Sequence, residues 1–221
     1  MTHRFNPKTL QQAAVATVLV LAVLAAASQA RAAPEPAFQS AFQQFSQASA
    51  GDGAAIDKAA DEFAALLKAE PTSPVLMAYA GASESMKARN TALPWKKMSY
   101  AEDGLALVDK ALAMLTPAHD AALQHGTPGS LDVRFVAANT FLAMPGFMNR
   151  GARGAKLLAE VLASPLFGAA PLAFQGTVWM LSASQATKDK RIEDAQRFLN
   201  EVIVRNAPQA DKARALLKAA A

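Results

Sequence analysis

The sequence predicts an all-α protein in which antiparallel helix hairpins stack on one another. Apolar residues recur at spacings of three and four along most of the chain, as they do on one face of a helix. Proline and glycine interrupt these runs at short intervals, so we expect short connections between antiparallel neighbours. No stretch alternates apolar and polar residues between hairpin turns, which leaves strands without a sequence signal.

The clearest amphipathic segment is 93–115, LPWKKMSYAEDGLALVDKALAML. Ser99 and Glu102 match a capping box, in which the serine accepts a backbone N–H and the glutamate returns to the cap. We therefore predict a helix that starts near Ser99, with residues 95–97 just outside it. Four apolar side chains are expected to share its buried face: Leu105, Val108, Leu112 and Leu115.

Caps and breakers divide the rest of the chain into further helices. Asp52 is expected to cap one helix, and Ser73 with a following proline to begin another. Asp189 is expected to cap a later helix. The predicted segments are a phenylalanine stripe at Phe38, Phe42 and Phe45, a helix after Asp52, and helices over Pro74 to about Arg89, Leu131 to Met144, 151–163, from near Pro171, Ile192 to Val204, and after Pro208.

Residues 1–32 have the order of a secretory signal peptide. Arg4 and Lys8 precede an uncharged run from Ala13 to Ala27, and alanine stands at both positions that a signal peptidase reads, 30 and 32. A membrane anchor is the alternative, but this run of 15 residues falls short of the roughly 20 that a spanning helix needs. We expect cleavage after Ala32, which leaves a helical-repeat domain over 33–221 in the periplasm or secreted.

Charge and cysteine content narrow the range of partners. The chain has 22 basic and 18 acidic residues, and cleavage would remove three basic ones, leaving 19. A balance near +1 gives no concentrated basic face, so we expect no nucleic-acid binding. The chain contains no cysteine, which excludes both disulfides and the lipid attachment of a lipoprotein. No second long apolar run follows, so we expect no stable membrane insertion after cleavage.

A recurring pattern indicates a repeat of helix pairs. A small residue is followed by an apolar residue four positions later, by another three after that, and by a proline 11 to 13 positions from the start. The offsets between sets are uneven, at 45, 50 and 41 residues. The sets are Ala59, Phe63, Leu66 and Pro71; Gly104, Val108, Ala111 and Pro117; Gly154, Leu158, Val161 and Pro165; and Ala195, Leu199, Val202 and Pro208.

The helix-pair pattern resembles the tetratricopeptide-like superfamily. The segments LPWKKMSYAEDGLALVDKAL and VRFVAANTFLAMPGFMNRGARGAKLLAEVL look like exported bacterial members with an LPWKKM-type segment before a repeat helix. The likeness covers about 54–206 and is most specific over 93–115 and 133–162. It implies a degenerate tetratricopeptide-like stack of antiparallel helix hairpins, whose concave face binds peptide segments or partner proteins, and it implies no named reaction.

The segment Trp95, Lys96 and Lys97 is the first candidate partner-binding site, because a tryptophan beside cations suits recognition of another protein. The alternative is a tryptophan packed under its loop beside two solvated lysines. The resemblance implies that the first helix of each pair lines the concave face. That implication adds six candidates: Tyr79, Lys87, Arg134, Asn139, Gln175 and Trp179. The alternative is a plain core role for Tyr79 and Trp179 and a hydrogen bond to a loop carbonyl for Asn139.

Catalytic and ligand-binding motifs are scarce. Adjacent acids on a helix point apart, His119 and His125 lack metal-ligand spacing, and no cysteine nucleophile or phosphate loop occurs, so we expect no enzyme, cofactor or metal. The basic, glycine-rich segment 149–154 is interpreted as a flexible turn rather than an anion cradle. The leading hypothesis is an exported adaptor for protein–protein interaction in the bacterial cell envelope. The alternative, suggested by the many Met, Phe and Ala residues, is a periplasmic carrier of a small apolar or lipid ligand between helices.

Overall fold

The computed structural model describes residues 35–121 and 126–219, and the predicted signal peptide lies outside these ranges. The predicted all-α class is confirmed: helices and short turns make up the described residues, and no strand occurs among them. Nine α-helices lie in these ranges: α1 Glu35–Ser49, α2 Gly53–Ala69, α3 Pro74–Met86, α4 Pro94–Ala113, α5 Gly129–Ala143, α6 Gly151–Ala163, α7 Leu172–Lys188, α8 Ile192–Val204 and α9 Ala210–Ala219.

Two predicted helix caps are confirmed. The Asp52 carboxylate accepts a hydrogen bond from the Ala54 N–H at 2.9 Å, which satisfies a free donor at the start of α2. Ser73 accepts from the Leu76 N–H at 3.4 Å and is followed by proline at the first position of α3. These local signals therefore set the starts of both helices.

The predicted start of α4 at Ser99 is wrong. The helix begins at Pro94, whose fixed φ and missing N–H suit a first helical position, and Leu93 before it is extended. Ser99 lies inside the helix, where its hydroxyl donates to the Asp103 carboxylate at 3.0 Å. Residues 95–97 consequently occupy the first turn of α4 instead of a preceding loop.

The predicted cap of α8 by Asp189 is also wrong. Arg191 holds the N-cap position of that helix, and no side chain accepts from the helix N-terminus there. The Asp189 carboxylate instead accepts from the Arg191 guanidinium at 3.1 Å. Asp189 is the C-cap residue of α7, two positions before the N-cap of α8, and its carboxylate also accepts from the Gln185 amide at 3.0 Å.

Consecutive helices pack as pairs: α1 on α2, α3 on α4, α5 on α6 and α7 on α8, with α9 against α8. The first helices α3 and α5 also contact each other directly. In the second pair Gly81 lies beside Val108, whereas Gly104 lies beside Ser85, so the two helices run antiparallel. All described residues belong to one compact unit.

Two glycines set the distance between α3 and α4. A Cβ atom on Gly81 would lie only 2.6 Å from the Gly104 carbonyl oxygen, and one on Gly104 would lie 2.6 Å from the Ser85 nitrogen. Backbone therefore touches backbone here, which only residues without a Cβ permit.

The four sets of the repeat pattern lie on α2, α4, α6 and α8, the second helix of each pair. Their small and apolar members are buried, apart from the half-buried Leu66, and each proline follows the end of its helix within a few residues. The pattern thus marks equivalent positions in successive pairs. Membership of the tetratricopeptide-like superfamily stays a prediction.

Two apolar cores share the middle helices α4 and α5. The first core contains Phe38, Phe63 and Tyr79, and the second contains Phe141 and Trp179. Half-buried Leu112 packs against both cores, so it is less enclosed than its place in the predicted stripe suggests. Within 35–121 and 126–219, no helix combines the length and hydropathy that crossing a bilayer requires.

Candidate functional site

A groove of about 740 Å³ lies along the C-terminal halves of the first helices. Side chains of α1, α3, α5 and α7 all reach it, and the start of α4 and the turn after α5 complete its walls. The first helices therefore form a common surface.

The groove wall is mainly apolar. Four methionines line it, together with the aromatic rings of Phe45 and Phe147. Methionine has a flexible, polarisable side chain that adapts to irregular partners, so such a wall accepts more than one shape of apolar group. The methionines are Met86, Met98, Met144 and Met148.

The charges that line the groove are all positive. Arg89, Lys97 and Lys188 contribute side chains to its wall, and no aspartate or glutamate does so among the described residues. Arg89 is partly engaged, because its guanidinium donates to the Ala48 carbonyl at 3.3 Å at the end of α1. Lys97 and Lys188 form no ion pair with any residue that the structure describes, so both ammonium groups are available to an anionic group.

Exposed apolar side chains continue the groove wall outward. Trp95, in the first turn of α4, is 67% exposed, and Phe147, in the turn after α5, is 69% exposed. Leu93 and Met98 are exposed by 39% and 38%. The alternative in which Trp95 packs beneath its loop is wrong, because the residue is part of a helix and projects into solvent. We call these four residues the apolar rim.

The first turn of α4 is electrostatically unfavourable by itself. No side chain caps it and no acidic residue lies in it, while Lys96 and Lys97 place two positive charges at the positive end of the helix dipole. Stability of the isolated helix does not explain this arrangement. It leaves a positive potential beside the apolar rim, where an acidic group would be favoured.

Tyr79, one of the predicted contact residues, is buried in the first core. Its hydroxyl donates to the Asp132 carboxylate at 2.8 Å, and its ring stacks on Phe63 with 4.9 Å between centroids. Burial raises the pKa of Asp132 to about 7, partly offset by the hydrogen bond from Tyr79. Burial also raises the pKa of Tyr79, helped by the adjacent Asp132 charge. This pair links α3 to α5 and does not reach the groove.

Gln175 and Trp179 likewise serve the second core. The Gln175 amide donates to the Ala170 carbonyl at 2.7 Å and so fixes the entry to α7. The Trp179 ring meets Phe167 edge to face at 5.5 Å, and the Arg205 guanidinium lies over it at 5.2 Å. Both side chains are occupied by packing within the chain, so neither is part of the groove surface.

The other three first-helix candidates differ in position. Lys87 pairs with Glu84 at 3.3 Å and lies over the Tyr100 ring at 4.7 Å. Arg134 donates to the Ser130 carbonyl at 3.2 Å within its own helix. Asn139 alone of the six first-helix candidates lines the groove. Of the earlier segment, Lys97 lines it, and Trp95 and Lys96 flank it.

Several groove residues were not among the predicted sites. Met98 and Lys188 gave no pattern that separates them from ordinary helix positions. Met144, Phe147 and Met148 did carry a signal, because three large apolar residues cluster around a Pro-Gly turn where polar residues are usual. These three residues are among the Met and Phe residues that suggest the carrier hypothesis.

The arginines of segment 149–154 are already paired. Arg150 contacts the Asp109 carboxylate at 2.9 Å, and Arg153 contacts the other oxygen of the same group. Both guanidinium groups also lie near the Phe141 ring, at 5.4 and 5.1 Å from its centroid. The segment therefore ties α6 to α4, which argues against an anion cradle. The predicted flexible turn is wrong for residues 151–154, which form the first turn of α6.

Metal ligands do not converge in the part of the chain described. No group of three or more histidine, cysteine, aspartate or glutamate side chains there could hold a metal ion. His119 accepts from the Thr116 N–H at 3.0 Å and closes a short helical turn, whereas His125 lies outside the described residues.

Comparison of this chain with protein-family models, with curated proteins and with solved structures finds no match. The groove and its apolar rim are therefore the observations on which a function can be argued.

Proposed function

We propose that this chain is an exported helical-repeat adaptor that binds a partner protein in the bacterial cell envelope. The observation that carries the proposal is one groove lined by all four first helices and continued by the exposed side chains of Trp95 and Phe147. A cluster of large apolar side chains that is exposed in the isolated chain marks a surface that binds another molecule. A partner segment seated in the groove would cover both.

The apolar rim is large enough to anchor a partner. Burying the exposed two thirds of a tryptophan or phenylalanine side chain removes on the order of 130 Å² from water, worth roughly 3 kcal/mol at about 25 cal/mol per Å². The loss of translational and rotational freedom and the ordering of interface side chains offset much of this gain. Two such anchors with the groove behind them are of the size found at interface hot spots.

Site-specific photo-cross-linking in the native host tests the proposal. A benzophenone amino acid replaces Trp95, and a matched variant carries it at Lys212 on the exposed side of α9. We expect a discrete cross-linked protein from position 95 and none from position 212. The same species from both positions, or none from position 95, would contradict an adaptor that uses this surface.

A second candidate function is a carrier of a small apolar or lipid ligand. The groove volume of about 740 Å³ falls within the roughly 300–1,000 Å³ of ligand pockets, and its wall is mainly apolar. Native mass spectrometry of protein taken from its own host tests this candidate. A stoichiometric lipid favours the carrier, whereas an unliganded mass favours the adaptor.

Export itself rests on the sequence of residues 1–32, with a basic start, an apolar run and alanines at positions 30 and 32. We expect the intact mass of the protein purified from its host to match a chain that begins at Ala33. A mature protein that retains Met1 and sediments with membranes would contradict a periplasmic adaptor.

A further inference from the structure

We propose that the occupant of the groove is an amphipathic α-helix of the partner, with acidic side chains flanking its apolar stripe. This inference rests on the proposed adaptor function and specifies which kind of segment the adaptor holds. Three features carry it: the apolar wall, the exposed apolar rim beside that wall, and the sign of the charges around both.

The wall suits the side chains of a helix. An amphipathic helix that lies in a groove presents anchors at positions i, i+3, i+4 and i+7, all apolar and on one face. The four groove methionines come from α3, from α4 and from the turn after α5, so they offer adaptable contacts from three directions. Such a wall accepts a row of unequal side chains without requiring one fixed shape.

The apolar rim favours a helix over a small amphiphile. A single-chain lipid or fatty acid would lie within the groove and leave Trp95 in water at its present exposure of 67%. A helix has a diameter of about 10 Å with its side chains, so it would extend past the wall and cover the rim as well. Only the larger occupant accounts for the two rim residues that do not line the groove, Leu93 and Trp95.

Charge complementarity sets the sign of the flanking residues. Lys97 and Lys188 lie on the groove wall without an ion pair among the described residues, and Lys96 adds a third charge near the uncapped start of α4. The acids close to these lysines in the chain or the fold do not cancel this potential. Glu84 is paired with Lys87 and Asp189 with Arg191, and Glu102 lines the adjacent depression instead of the groove. Acidic residues beside the apolar stripe would meet these cations, whereas basic residues would be repelled.

Synthetic peptides test the occupant directly. Peptide A has about 18 residues, or five helical turns, with Leu and Phe at i, i+3, i+4 and i+7 and Glu at the flanking positions. Peptide B replaces each Glu with Lys. Peptide C has the composition of peptide A in an order without an apolar face. Affinities of the full mature protein for each are measured by calorimetry at low and high salt, with palmitate as a fourth probe.

Two pairs of variants locate the binding. Lys97→Glu with Lys188→Glu reverses the groove charge, and Lys58→Glu with Lys212→Glu makes the same change at exposed positions away from the groove. Ser184→Trp places a bulky side chain in the groove from an exposed position on α7, and Ala159→Trp is the matched change on the exposed side of α6. Circular dichroism confirms that each variant is folded before binding is measured.

We expect peptide A to bind at least about tenfold more tightly than peptides B and C, with the difference between A and B shrinking at high salt. The double groove variant should lose about tenfold of this affinity and Ser184→Trp still more, while both control variants bind as the native protein does. Equal binding of A and B, or unchanged binding by Ser184→Trp, would overturn the inference.

Palmitate that binds stoichiometrically while all three peptides fail would also overturn the inference and assign the groove to a ligand. The adaptor proposal is judged separately, by the cross-link from position 95. A protein captured there while peptide A fails to bind overturns the helical occupant and leaves the adaptor standing. Failure of both measurements overturns both proposals.

Discussion

Replacement of Gly104 by alanine should push α3 and α4 apart. The added Cβ would lie 2.6 Å from the Ser85 nitrogen and 2.8 Å from the Ser85 Cβ, so the two helices must separate by several tenths of an ångström. Overpacking of this kind costs about 1–3 kcal/mol, and the upper end of about 3 kcal/mol applies here, because the closest atoms that the Cβ meets are backbone and cannot rotate away as a flexible side chain would. Alanine recovers about 1 kcal/mol of helix propensity. We therefore expect Gly104→Ala to lower the free energy of unfolding by about 2 kcal/mol.

Urea unfolding followed by circular dichroism, together with the melting temperature, measures this change. A loss of about 2 kcal/mol corresponds to a fall in melting temperature of roughly 4–8 °C for a chain of this size. Gly151→Ala is the control, because a Cβ there meets nothing within 4 Å and the glycine is likewise helical. A Gly104→Ala protein as stable as the native one would refute the close packing of the two backbones.

Three further predictions concern burial, pH and charge. Phe63→Ala removes a fully buried ring and should lower the free energy of unfolding by about 3–5 kcal/mol. Trp95→Ala removes an exposed ring and should change it by less than about 0.5 kcal/mol. Equal losses in urea unfolding would contradict this difference in burial. The Asp132 pKa of about 7 lies above its ordinary value of 3.8, so the folded state binds the proton more tightly than the unfolded state does. The free energy of unfolding should therefore fall as pH rises from about 4 to about 7. Asp132→Asn should remove that fall, which unfolding curves across this pH range will check. Replacing Lys96 and Lys97 by glutamate should weaken binding of the cross-linked partner most at low salt. The melting temperature should rise slightly, because acidic side chains suit the positive end of the α4 dipole. An unaltered affinity at low salt would exclude this segment from the interface.

The sequence predicts the existence of the helices, and many of their boundaries, because these depend on residues close together in the chain. Asp52 and Ser73 cap their helices as predicted, since each needs only a backbone N–H two or three residues away. The start of α4 was misjudged because two local signals competed there, a capping box at Ser99 and a proline at Pro94. The helix begins at Pro94, and the Ser99 hydroxyl donates to the Asp103 carboxylate within the helix.

The site could be predicted only in outline because it depends on how the helix pairs pack. The first helices do line the groove, yet Tyr79 lies one turn before Ala82 and is covered by the aromatic side chains of α1. On α7, Trp179 and Leu181 are two positions apart and point to different sides, so only Leu181 reaches the groove. Which side of a helix faces a neighbour is set by contacts between residues distant in sequence, and spacing within one helix does not reveal it.

The sharing of α4 and α5 between two cores has a consequence for how the fold is lost. In an array of independent repeats, an end unit can melt while the others persist, since each touches only its neighbours. Here Val108 and Ala111, less than one turn apart on α4, belong to different cores, and Leu112 touches both. Unfolding of either core would expose residues of α4 and α5 that also enclose the other core. The N-terminal and C-terminal pairs should therefore unfold together. A partner that stabilises the groove would then raise the melting temperature of the entire stack.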